Sequence, residues 1–109
     1  MSVKVVSHVD EVNAELHRKI PVILEALGIE AEGNAVAEIT DMKAVDTGRL
    51  RGSISHAKDN DSAYIGTNVE YAPYVELGTY RMAARPFLRN AITNYTNDYK
   101  AIIKEGLKS

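Results

Sequence analysis

The chain has 109 residues, 45% of them apolar and 26% charged, the proportions of an ordinary globular domain with one modest core. It has no cysteine, which excludes disulfides and thiolate metal sites. No apolar run approaches the roughly 18 residues of a membrane-spanning helix, and Met1 to His8 lack a signal peptide's apolar stretch, so synthesis in the cytoplasm is expected. The net charge of −2 divides into −5 over residues 1–46 and +3 over residues 47–109. Five of the six arginines (Arg49, Arg51, Arg81, Arg85 and Arg89) fall between positions 49 and 89. An acidic half and a basic half suit head-to-tail contact between copies, and equally an unevenly solvated surface.

The first element is expected over residues 9–44. Apolar residues at Val9, Val12, Leu16, Ile20, Ile23, Leu27, Ala31, Ala35, Ile39 and Met42 recur with a mean step of 3.67, close to the helical period. Ser7 or Asp10 can cap it. Pro21 interrupts the backbone hydrogen bonding while the stripe stays in phase, so a kinked helix or two abutting helices is predicted. Asp46-Thr47-Gly48 breaks this helix, with Gly48 read as a turn residue at positive φ. Leu50, Gly52, Ile54 and His56 alternate with polar or small residues, which predicts a strand. Asp59-Asn60-Asp61 is turn chemistry, and a second strand over 62–67 makes a β-hairpin spanning 50–67. Residues 68–85 form a loop with a short helix at Ala72–Leu77, opened by Pro73 and ended by Gly78, and 79–85 is expected to be irregular and mobile. Pro86 opens a last helix, 86–106, with Phe87, Leu88, Ala91, Ile92, Tyr95, Tyr99, Ile102 and Ile103 as its stripe and Gly106 at its end. Val3–Val6 offers an edge strand. The expectation is a single α+β domain over 1–109: a long kinked N-terminal helix, a small antiparallel sheet built on a hairpin, and a C-terminal helix packed on the sheet.

Chemistry-bearing residues do not assemble into a known constellation. His8, His17 and His56 have no metal-ligand spacing, so a surface or core role is expected. Ser53 and Ser55 lack the glycine pattern of a nucleophile elbow. Gly48-Arg49-Leu50-Arg51-Gly52 has neither the glycines nor the lysine of a phosphate-binding loop. Asp59 and Asp61 open as a calcium loop does, with Glu70 at the twelfth position, but Tyr64 stands where that loop requires glycine. No catalytic residue, metal or cofactor is expected. The tyrosines among charges at 64, 71, 74, 80 and 99 suit an interface, or stacking on nucleic acid.

Three segments carry a resemblance: Val45-Asp46-Thr47-Gly48-Arg49-Leu50-Arg51-Gly52-Ser53-Ile54, then Tyr71-Ala72-Pro73-Tyr74-Val75-Glu76-Leu77-Gly78-Thr79, then Met82-Ala83-Ala84-Arg85-Pro86-Phe87-Leu88-Arg89. In this order and spacing they resemble the tail-component family of siphoviruses, the long-tailed bacteriophages, which comprises neck and tail-completion proteins of the head–tail joint. Ala44 and Asn90 depart from prolines that the family often has. The resemblance implies a non-enzymatic structural protein of the virion or of a prophage, in a ring of copies, expected to be hexameric. Its other partners would be the phage connector and tail-tube or tail-terminator proteins, with non-specific contact to DNA in the lumen and none to a membrane. Tyr71, Tyr74, Glu76, Thr79, Arg81, Arg85 and Arg89 are the interface candidates. Asp46, Thr47, Gly48, Leu50, Ile54, Gly78, Pro86 and Phe87 are the structural ones. The rival readings are a nucleic-acid-binding module using the Arg/Tyr-rich region 49–89, and a head-closure or tail-terminator protein of the same junction.

Overall fold

A computed structural model describes residues 1–6, 18–41 and 47–108. The predicted helical turns at 9–17 and 42–44, with His8, His17 and Asp46, lie outside the described residues, as does the Thr47 side chain. The described elements are β1 (Ser2–Val6), α1 (Ile20–Thr40), α2 (Thr47–Gly52), β2 (Ser55–Lys58), β3 (Ala63–Gly66), α3 (Ala72–Leu77), α4 (Phe87–Thr93) and α5 (Thr96–Lys108). The α+β class holds: among the described residues, five helices accompany a three-stranded antiparallel sheet of order β1-β3-β2.

The sheet is built on the β2–β3 hairpin, with His56 paired to Ile65 and Ala57 to Tyr64. Asp59 makes the turn, its carboxylate accepting from the amides of Asp61 and Ser62 and from the Tyr64 hydroxyl. These bonds hold its pKa below the usual carboxylate value. β1 adds to the free side of β3, with Val3 opposite Ile65 and a register shift between Lys4 and Val6. One sheet face is covered: Ala63 and Ile65 are buried and Val3 packs on the core. The other, carrying Ser2, Lys4, Ser55, Ala57 and Tyr64, is open.

α1 occupies the middle of the molecule. Ile20, Ile23, Leu24, Leu27, Ala31, Ala35 and Ile39 form its buried stripe and touch β2, β3, α2, α4 and α5. Each fully buried Leu or Ile contributes about 1.5–3 kcal/mol over its exposed state. Pro21 lies in the first turn of α1, where its missing N–H costs no bond, so it starts a helix rather than kinking one.

Four local readings change. Residues 47–52 are helical, and the first hairpin strand begins only at Ser55. Leu50 and Ile54, both buried, are four apart, a spacing that serves a helical turn as well as alternation. The Ser53 amide and hydroxyl both donate to the Leu50 carbonyl and end the turn. Gly48 sits inside α2, and the positive-φ glycine among the described residues is Gly78. The predicted 86–106 helix is two helices broken at Asn94–Tyr95, where Thr93 and Thr96 hydroxyls donate to backbone carbonyls of Arg89 and Thr93. α4 packs on α1 and reaches β1, and α5 runs along α1. The break lets the Tyr95 hydroxyl donate to Glu38 at 2.8 Å, while the buried Tyr99 hydroxyl donates to the Ala91 carbonyl and accepts from Asn34. Bonding to the Glu38 carboxylate pushes the Tyr95 pKa up to about 12. Gly106 lies inside α5, not at a helix end; a Cβ there would overlap Ile23 of α1.

Candidate interaction surface

The segment from Tyr71 to Arg89 gathers most of the candidate residues. α3 is six residues long, with Ala72 and Val75 facing the core. Its opposite side shows Tyr74, 60% exposed, and Leu77, 72% exposed. Gly78 ends α3 at φ 77°, ψ 172°, a region open essentially to glycine alone. The chain then closes a tight turn in which Thr79 and Met82 exchange backbone hydrogen bonds of 2.8 and 3.2 Å. The Thr79 hydroxyl accepts from the Arg81 amide. Met82 is anchored against the core, and the Arg85 amide donates to the Val75 carbonyl. The segment expected to be an irregular, mobile loop is therefore a hydrogen-bonded turn fixed at both ends. Tyr80 stands at its tip, 91% exposed, with the Arg81 guanidinium 5.2 Å from its ring centre.

Glu76 is a correction to the interface set. It is buried, and its two carboxylate oxygens accept from the amides of Leu88 at 2.9 Å and Arg89 at 3.1 Å. Those are the second and third N–H groups of α4, which an N-cap side chain normally satisfies. Pro86 occupies the N-cap and has no side-chain acceptor. Glu76 therefore caps α4 from the preceding helix and cannot also face a partner. Tyr71 is half-buried, packs on the core and lies 5.6 Å from Arg49, whose guanidinium makes a bidentate pair with Glu70. A hydrogen bond from its own backbone amide, and after it the Arg49 pair, hold Glu70 below the usual carboxylate pKa. Tyr74, Thr79, Arg81 and Arg89 are exposed and Arg85 is half-buried. Of the structural candidates, Leu50, Ile54 and Phe87 are in the core.

A second arrangement was not anticipated from sequence. His56 of β2 sits over Gly28 of α1, where a Cβ would come 2.8 Å from the ring. Its Nδ1 meets Glu32 and its Nε2 meets Glu25, each at 2.9 Å. Both carboxylates raise the His56 pKa, Glu32 foremost, and bonding to His56 lowers that of Glu25. The Glu25-x-x-Gly28-x-x-x-Glu32 spacing was visible as one helix face, but the histidine's place opposite it depends on sheet register. Beside it, the open sheet face carries a shallow depression of about 550 Å³, lined by small and polar residues including Ser55, Gly66 and Thr67. Among the described residues, no three His, Asp or Glu side chains are grouped to hold a metal. No described helix is long and apolar enough to cross a membrane.

Residues 4–78 match the model of the HK97-gp10-like family, described as "Bacteriophage HK97-gp10, putative tail-component". The chain belongs to this family. Of the three resembling segments, the first falls inside the match, the second does so up to Gly78, and Met82–Arg89 follows it. The match thus begins within β1, takes in α1, α2, the β2–β3 hairpin and α3, and stops at Gly78, just before the exposed turn. No curated protein and no solved structure matches the chain.

Proposed function

We propose that this phage tail component is a non-enzymatic virion protein of the head–tail junction, assembled as a ring of copies between the portal-side connector and the tail tube. The observation that carries the reading is the exposed group of Tyr74 and Leu77 on α3 with Tyr80 and Arg81 on the hydrogen-bonded turn that follows it. Aromatic residues and arginine are the types enriched where proteins meet, and rigidity lowers the ordering cost of docking. Arg85 and Arg89 extend the surface as a basic edge. A hexameric ring would place these residues at heterologous contacts that close by rotation.

The test is deletion of the gene in the phage that encodes it, with complementation by the wild-type chain and by a Tyr80→Ala, Arg81→Ala variant. Electron microscopy of the deletion should show filled heads and separate tails. Complementation by the wild type should restore joined particles, and the variant should do so poorly. Normal joined particles without the gene would overturn the reading. Heads that lose DNA would move the role to head closure, and tails of uncontrolled length would move it to tail termination.

A further inference from the structure

α1 has two apolar sides. Besides its core stripe, Val22, Ala26, Ile29, Gly33 and Ala37 recur at steps of four, three, four and four on the opposite face. No charged residue interrupts this second stripe, in which Val22 is 70% and Ile29 56% exposed. A helix apolar on opposite sides is normally covered on both. Acids flank the stripe, Glu25 and Glu32 along one side and Glu30 along the other, and α1 holds four glutamates and no base.

The Tyr74–Tyr80 knob has the converse character. It is protruding, aromatic and aliphatic at its centre, and the segment from Leu77 to Arg89 holds three arginines and no acid. α3 packs on α4, and Tyr74, Leu77 and Tyr80 are as exposed in the single chain as Val22 and Ile29, so the two surfaces do not cover each other within it. We propose that the outer stripe of α1 is the seat for the Tyr74, Leu77 and Tyr80 knob of a second copy of this chain, with Arg81 and Arg85 against the acids that flank the stripe. The small residues Ala26 and Gly33 leave room beside Ile29 for an aromatic ring. The contact joins unlike surfaces, so it is heterologous and can propagate from copy to copy. The inference rests on the assembly reading above and adds which faces meet.

The absence of native cysteine makes disulfide trapping clean. Full-length chains carrying Ile29→Cys and Tyr80→Cys separately, mixed under mild oxidation across a rising concentration series, should give a mixed disulfide dimer. The doubly substituted chain should give a ladder. Light scattering of the wild type over the same series reads association independently. In that readout, Arg81→Glu with Arg85→Glu should weaken association by about tenfold or more, and adding Glu30→Arg should recover part of it. Before oxidation, Ile29→Cys should react rapidly with a thiol reagent in dilute protein. Slow labelling would mean that other residues of the same chain already cover the stripe, and would overturn the inference. Wild-type association without mixed disulfides or charge rescue would also overturn it, while leaving assembly through another surface intact. No association and no ladder at any concentration overturns it as well. The head–tail joining assay then reports on the junction role by itself.

Discussion

Two carboxylate clasps tie distant segments of this chain, and they differ in burial. Glu76 joins the end of α3 to the start of α4 from inside, with both oxygens occupied by main-chain amides. Glu25 and Glu32 hold His56 of β2 at the surface, with side chains 42% and 36% exposed around a histidine at 22%. The buried carboxylate lies on the positive end of a helix and has no water to fall back on. The surface carboxylates are screened, and their net contribution to stability is small. The same side chain is thus committed to architecture in one place and left responsive to pH in the other.

The comparison breaks most forcefully at the buried clasp. Gly78→Ala would force a Cβ into a glycine-only backbone region and bring it 2.7 Å from the Ala84 amide nitrogen. Backbone cannot move aside as a side chain can, so a loss of about 3 kcal/mol or more is expected by chemical denaturation. Glu76→Ala follows, at about 2–3 kcal/mol, because one buried and one half-buried amide at the start of α4 lose their acceptor. Glu76→Gln retains one acceptor oxygen without the charge, and should lie between that variant and the wild type. A Glu76→Ala protein as stable as the wild type would refute the capping role.

The surface clasp gives smaller, sharper effects. Gly28→Ala would displace the His56 ring, and the improved helix propensity of alanine, about 1 kcal/mol, would offset much of the lost contact. Stability should change by no more than about 1 kcal/mol, while the pH dependence described below disappears. A Gly28→Ala protein that kept this pH dependence would show that the ring finds its two carboxylates without the notch.

What the sequence reveals, and what it hides, follows the range of the interactions. The stripe from Ile20 to Ile39 and the Asp59-Asn60-Asp61 turn are local patterns, and both stand in the structure as α1 and the hairpin. The helix at 47–52 was hidden because Leu50 and Ile54 satisfy two periods at once. The role of Glu76 was hidden because its partners are amides twelve and thirteen residues on, and the α3–α4 connection alone brings them near. A proline at the N-cap of α4 was the available signal, since it leaves a capping need that something else must fill. The second stripe on α1 was present in the letters Val22, Ala26, Ile29, Gly33 and Ala37, but only the core contacts of α1 show which stripe is left outside.

The last effect is the smallest and concerns protons alone. Bonding to Glu32 and Glu25 raises the His56 pKa above its ordinary 6.5. The charged form is therefore favoured in the folded state, and the stabilisation it gives is complete below 6.5 and fades as pH rises through the higher folded value. Glu25 works in the other direction: its pKa is depressed below 4.5, so its share is present above that value and is lost as pH falls through the depressed one. The clasp is strongest between those limits, in mildly acidic solution. Melting temperatures taken between about pH 5 and 8 should fall slightly toward the alkaline end in the wild type. His56→Gln keeps a side chain that can hydrogen-bond to the carboxylates but cannot be charged, so the slope contributed by this group should vanish. An unchanged slope in His56→Gln would place the titration elsewhere and reduce the surface clasp to packing.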